Sequence, residues 1–179
     1  LIDLAIQIQQ IPAPTFAEGR RAEFVRGLFE REGLSDVSVD AVGNVYGRWT
    51  LDNGPWSMVN RPLSAPKPLV ISAHLDTVFP ADTDLRVTRR DESIHGPGLG
   101  DNSLGVAALF GLLWGLTSPP APLLKREGGI ADIWFVANVG EEGLGDLRGM
   151  KAVVDRFGSD VTAYLVLEGL ALGHIYHRA

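Results

Sequence analysis

Cysteine is absent from all 179 residues. That excludes disulfide scaffolds, thiolate zinc sites and cysteine nucleophiles. Positive charge is scarce: 16 Lys and Arg stand against 22 Asp and Glu, for a net charge of −6. A general nucleic-acid binder needs a basic face that displaces counterions, so no nucleic-acid partner is expected. Long hydrophobic runs are missing as well. The longest uncharged apolar stretch, Leu104 to Leu116, is too short for a bilayer, which takes about 20 residues, and no membrane partner is expected. The chain opens on Leu1 without a basic segment followed by an apolar one, so no signal peptide is visible and the expected location is cytoplasmic.

What is present is ordinary for a folded domain. Hydrophobic residues make up 45% and charged residues 21%, which argues against global disorder. The length suits about one domain. The 21 glycines and 11 prolines exceed usual frequencies and point to tight turns around short elements.

Periodicity separates the elements. Leu1, Leu4, Ile8 and Ile11 have helical spacing, and Pro12 and Pro14 end that helix. Thr15 and Glu18 have the spacing of a capping box for a second helix, Ala17 to Glu32, with Gly33 at its C′ position. Val37 and Val39 mark a strand, Gly43-Asn44 a turn, and Val45 to Trp49 a second strand. Residues 50–67 read as a long loop. Pro68 to Ala73, Ala131 to Val139 and Val161 to Leu167 read as buried strands, and Gly173 to His177 as a fourth. Leu85 to Arg89 and Ser93 to His95 read as a hairpin. Asp101 to Leu116 and Leu147 to Phe157 read as helices, the first apolar nearly all round. Buried strands alternating with helices predict a doubly wound α/β sheet, with reactive groups beyond the carboxyl ends of its strands.

Those ends are polar. The first buried strand runs into His74, Asp76 and Thr77, the second into Glu141 and Glu142, and the third into Glu168. Asp101 opens the apolar helix between the first two. Carboxylates gathered without a cation would cost several kcal/mol in repulsion and desolvation, and a divalent ion removes that cost. One imidazole with carboxylates suits zinc, cobalt or manganese. His74 and Asp76 lie two apart on an extended segment, where Asp76 is placed to accept the second ring N–H. Of the adjacent Glu141 and Glu142, one can bind metal while the other acts as general base toward water. Asp101 has two oxygens and could bridge two cations. Each residue also has a simpler reading. His-x-Asp could be a surface pair, Asp101 a helix cap, Glu141-Glu142 a solvated loop and Glu168 the partner of an arginine. His95 reads as structural or as a neighbour of the site, and His174 and His177 as weak ligand candidates. The ordered recurrence of acids at successive strand ends favours the metal reading.

The segments HLDTVFP (His74 to Pro80), GPGLGDNSLG (Gly96 to Gly105), EEGLGDLRG (Glu141 to Gly149) and LEG (Leu167 to Gly169), with GNV at Gly43 to Val45, carry a resemblance. The chain resembles the dinuclear-zinc exopeptidases and N-deacylases that include glutamate carboxypeptidase, tripeptidase, acetylornithine deacetylase, succinyl-diaminopimelate desuccinylase and aminoacylase. The resemblance implies a three-layer α/β fold, with a mostly parallel sheet and helices on both faces. It implies two divalent metal ions, zinc by default, with cobalt or manganese as alternatives. His74, Asp101, Glu142 and Glu168 would be metal ligands, Asp101 bridging, with Asp76 orienting His74 and Glu141 as general base. It also implies a cis peptide bond between Asp101 and Asn102.

Relatives are about twice as long. The resemblance therefore implies that residues 1–179 are the N-terminal portion of the catalytic domain. A lid and dimerisation domain and the C-terminal catalytic portion, with a final metal-binding histidine, lie outside this chain. The full-length protein would be a homodimer. The expected function is metal-dependent hydrolysis of amide bonds in small peptides by a metal-activated water. The alternatives are an N-acyl amino acid deacylase of the same family and an inactive fragment or binding module.

Overall fold

The computed structural model describes residues 1–50, 67–117 and 132–169. In chain order the elements are α1 (Ile2–Gln9), α2 (Gly19–Arg31), β1 (Ser35–Val39), β2 (Val45–Thr50), β3 (Leu69–His74), β4 (Thr88–Arg90), β5 (Ser93–His95), α3 (Gly105–Thr117), β6 (Asp132–Asn138), α4 (Arg148–Phe157) and β7 (Ala163–Val166). Five strands form a sheet in the order β1-β2-β6-β3-β7, and β4 pairs with β5 as a separate hairpin. β6, β3 and β7 run parallel, and β2 is antiparallel to both β1 and β6. Only β2 opposes the others, so the sheet is mostly parallel.

Side-chain alternation sorts the sheet into two faces. Val45, Trp49, Ile71, Ala73, Ile133, Phe135 and Ala137 belong to one core, together with Ala5, Ile8, Val25, Phe29 and Phe110 from α1, α2 and α3. Tyr46, Val70 and Val136 face the other way and pack with Val153, Met150 and Phe157 of α4. Helices therefore cover both faces. That is why β3 and β6 are continuous apolar runs rather than alternating ones.

Several boundaries differ from expectation. The α3 helix begins at Gly105, not Asp101, because Asp101 (φ −109°, ψ 99°) and Asn102 (φ −130°, ψ 34°) have non-helical backbone. The stretch Leu99–Thr117 is long and apolar enough to cross a membrane. Those two residues interrupt it, however, and Val106, Ala107, Leu109, Phe110 and Leu113 are buried in the core. The Thr15–Glu18 capping box does not form; no side chain caps α2. Phe16 between them sits at φ 75°, and both side chains turn to distant partners. The third strand is not buried: Leu165 and Val166 of β7 are 43% and 54% exposed. β7 is an edge strand among the described residues, and Tyr164 turns into the α4 layer. The hairpin's first strand begins at Thr88 rather than Leu85. Most of the 50–67 loop, the 117–129 connection, the strand at Gly173 to His177, and His174 and His177 lie outside the described residues.

Phe110 anchors the larger core. It is 1% exposed, and its ring centroid lies 5.3 Å from that of Phe29. Phe110→Ala should lower stability by about 3–5 kcal/mol, read as a reduced urea midpoint. Leu112→Ala, on the exposed side of the same helix, should stay within about 0.5 kcal/mol of wild type.

Candidate metal centre

Parallel register brings three strand ends to one level. His74, the last residue of β3, lies opposite Asn138, the last of β6. On the other side Ser72 lies opposite Val166, and Leu167 N–H donates to Ser72 O at 2.7 Å. Glu168 therefore follows at the level of His74. The His74 ring is buried, with Nε2 3.0 Å from Asp101 Oδ1 and 3.4 Å from Glu168 Oε2. Its Nδ1 is 3.1 Å from the main-chain oxygen of Asp76. A carbonyl oxygen only accepts, so Nδ1 carries a hydrogen; Nε2 faces Asp101 and Glu168, donating toward their carboxylates while protonated and offering a lone pair to a cation once that proton is lost.

One ligand atom from each of His74, Asp101 and Glu168 lies within 4.8 Å of the other two, and the same holds for His74, Glu141 and Glu142. All five residues predicted to bind metal or act as base thus meet around one imidazole. Among the described residues, no Lys or Arg forms a salt bridge with Asp101, Glu141, Glu142 or Glu168. An acid-rich donor set with a single imidazole and no competing cation fits a divalent ion.

Asp76 sits behind this group and is fully buried. Its Oδ1 lies 3.5 Å from His74 Nδ1, so the nearer acceptor for the ring is the Asp76 main-chain oxygen. The carboxylate instead accepts Glu141 N–H and Glu142 N–H, both at 3.0 Å, and the Thr15 hydroxyl at 2.9 Å. It therefore holds the backbone of the paired glutamates as well as the histidine. Thr15 reaches it because the 13–15 segment lies beside Thr77, which donates its N–H to Ala13 O at 2.9 Å.

Asp101 and Glu168 meet through a tight backbone contact. The Asp101–Asn102 peptide is cis, as the resemblance implied. The Asn102 side chain donates to Leu167 O at 2.9 Å and accepts Gly105 N–H at 3.0 Å. Asn102, rather than Asp101, thus caps α3 while tethering the strand end that leads to Glu168. A Cβ on Gly169 would lie 1.7 Å from Gly100 O, so only glycine allows the two segments to approach this closely.

Electrostatics follow from this crowding. Burial opposes the charged His74 imidazole, but hydrogen bonds to Asp76 and Glu168 outweigh it and raise its pKa to about 10. Burial likewise opposes the Asp76 carboxylate, yet bonds from His74, the Glu141 and Glu142 amides and Thr15 hold its pKa down to about 2. Glu141 and Glu142 are both shifted upward, first by burial and then by neighbouring carboxylates. Glu168 is shifted downward, its burial outweighed by His74 and the Gly169 amide.

Sequence reasoning missed the supporting residues. Thr15 and Glu18 were read as a local cap, and Asn44 as a turn residue. Arg21 is a charged residue within the second predicted helix, yet it is 1% exposed and donates to Leu75 O at 2.6 Å and to Ile11 O. Only long-range contacts reveal these roles. His95 bonds Ser93 on the hairpin and belongs to neither ligand group.

The sequence profile of peptidase family M28 matches residues 58–174. The chain belongs to peptidase family M28. Among solved structures, aminopeptidase PepT from Bacillus cereus matches with a TM-score of 0.71 and 21% identity, over 95% of this chain and 43% of that one. Aminopeptidase APDkam598 from the archaeon Desulfurococcus kamchatkensis matches with a TM-score of 0.68 and 14% identity, over 99% of this chain and 65% of that one. A tripeptidase from Staphylococcus aureus matches with a TM-score of 0.64 and 23% identity, over 94% of this chain and 43% of that one. This M28 chain thus shares their fold and spans less than two thirds of each. No curated protein sequence matches it.

The elevated His74 pKa has a measurable consequence. A divalent ion must displace the imidazole proton, so binding at pH 7 should release about one proton from His74, and apparent affinity should rise with pH up to about 10. Calorimetric titration with Zn²⁺ in two buffers of different ionisation enthalpy measures that release.

Proposed function

We propose that this chain supplies a two-metal hydrolytic centre that cleaves terminal amide bonds of small peptides. The observation that carries the reading is the convergence of His74, Asp101, Glu141, Glu142 and Glu168 from separate strand ends and loops. Membership of a peptidase family supports peptides as the substrate class.

His74, Asp101 and Glu168 would hold the first ion, and Asp101 and Glu142 would hold the second, with zinc the proposed metal. When bound, the ions supply Lewis acidity and make water a nucleophile near neutral pH. The chain's own groups do the rest. The Nδ1–H bond to Asp76 O keeps the His74 ring aimed at Asp101 and Glu168. Asp76 fixes the Glu141 and Glu142 amides, so their side chains start from one defined backbone. Glu141 takes a proton from the attacking water and passes it to the departing amine, and its upward pKa shift brings it closer to the working range of a general base.

In the full-length protein Glu141→Gln should lower dipeptide turnover at least about 10²-fold while zinc content stays at the wild-type level. Turnover is followed by amine release and zinc by elemental analysis. Near-normal turnover in that variant would remove Glu141 as the base. Parallel assays with N-acetyl amino acids separate exopeptidase from deacylase action.

A further inference from the structure

The segment from Val139 to Gly149, which carries Glu141 and Glu142, is closed at its base by two successive rungs. At the outer rung Gly149 N–H donates to Val139 O at 3.0 Å. Asn44, fully buried, spans the same pair: its Oδ1 accepts Val139 N–H at 3.0 Å and its Nδ2 donates to Gly149 O at 2.9 Å. One partner is a main-chain donor and the other a main-chain acceptor, so the carboxamide has a single orientation. Asp40 steadies it by accepting from Nδ2 at 2.9 Å. There is no space for a side chain at this rung: a Cβ on Gly149 would lie 2.2 Å from Val139 O and 2.5 Å from Asn44 Oδ1.

The inner rung repeats the design with charge. Arg148 N–H donates to Gly140 O at 3.1 Å. The buried Glu18 carboxylate spans that pair, accepting Gly140 N–H at 3.0 Å and the Arg148 guanidinium at 2.9 and 3.1 Å. Beyond it the Glu141 and Glu142 amides bond directly to Asp76. Within the loop Asp146 and Leu147 hold φ values of 50° and 57°. Such backbone persists only where its surroundings impose it.

We propose that Asn44 and the Glu18–Arg148 pair are positioning residues, which set where Glu142 meets a metal ion and where Glu141 meets water by clamping the base of their loop. The inference rests on the proposed roles of Glu141 and Glu142.

The test is calorimetric titration of the full chain with Zn²⁺, well below the melting temperature of each protein. Glu142→Gln first identifies the binding event that depends on Glu142. Asn44→Ala and Glu18→Gln should each weaken that same event by about 10- to 100-fold and leave the event at His74, Asp101 and Glu168 within about twofold of wild type. Equal weakening of both events would indicate general loosening and overturn the proposal. Wild-type zinc binding by either folded variant would also overturn it, while leaving the hydrolytic reading intact. If wild type binds no zinc, or Glu142→Gln binds as wild type does, the metal reading itself fails and the clamp loses its purpose. Should Asn44→Ala fail to fold, Glu18→Gln decides.

Discussion

A buried carboxylate that forms no salt bridge to lysine or arginine among the described residues organises this protein. Asp76 is fully enclosed, and its hydrogen bonds go to one hydroxyl and two main-chain amides, with the His74 imidazole 3.5 Å away. A charge in that position is tolerable only while every one of those donors is in place. The loop of paired glutamates, the Thr15 segment and the histidine at the end of β3 are therefore mutually dependent. Around them the parallel register of β6, β3 and β7 brings the other acids to the same edge of the sheet.

The grouping of these residues was legible in the primary structure because each follows an apolar strand or precedes an apolar helix. Those patterns survive folding, since β3 and β6 are buried on both faces and cannot be mistaken for surface strands. The two-sided layering followed from the same alternation. What stayed hidden was the support. Thr15 and Glu18 satisfy a local capping pattern, yet their side chains bond to Asp76 and to Gly140 and Arg148. A spacing rule sees only neighbours in sequence, and a distant partner with better geometry wins. Asp101 fits the same lesson: its position suggested a helix cap, but Asn102 performs that task through Gly105. The exposed face of β7 escaped because an apolar run looks the same at the centre of a sheet and at its edge.

Burying Arg21 illustrates how such a site is insulated. Its guanidinium satisfies carbonyl oxygens of Ile11 and Leu75 rather than a carboxylate, and burial lowers its pKa to about 10, against a smaller opposing pull from Asp76. It ties the turn after α1 to the residue before Asp76, linking the first helix to the end of β3.

The two-rung base of the glutamate loop divides it into parts with different freedom. Its tip, where Leu144 is 91% exposed, bears no hydrogen bond to the clamp residues among those described. The Leu144 side chain can be exchanged without touching the acids a few residues away, whereas Gly145 cannot, since a Cβ there would lie 2.6 Å from Gly140 O. A protein built this way can vary the solvent-facing Leu144 side chain while its chemistry stays where it is, because the acids beside it are held separately, through their own amides, by Asp76.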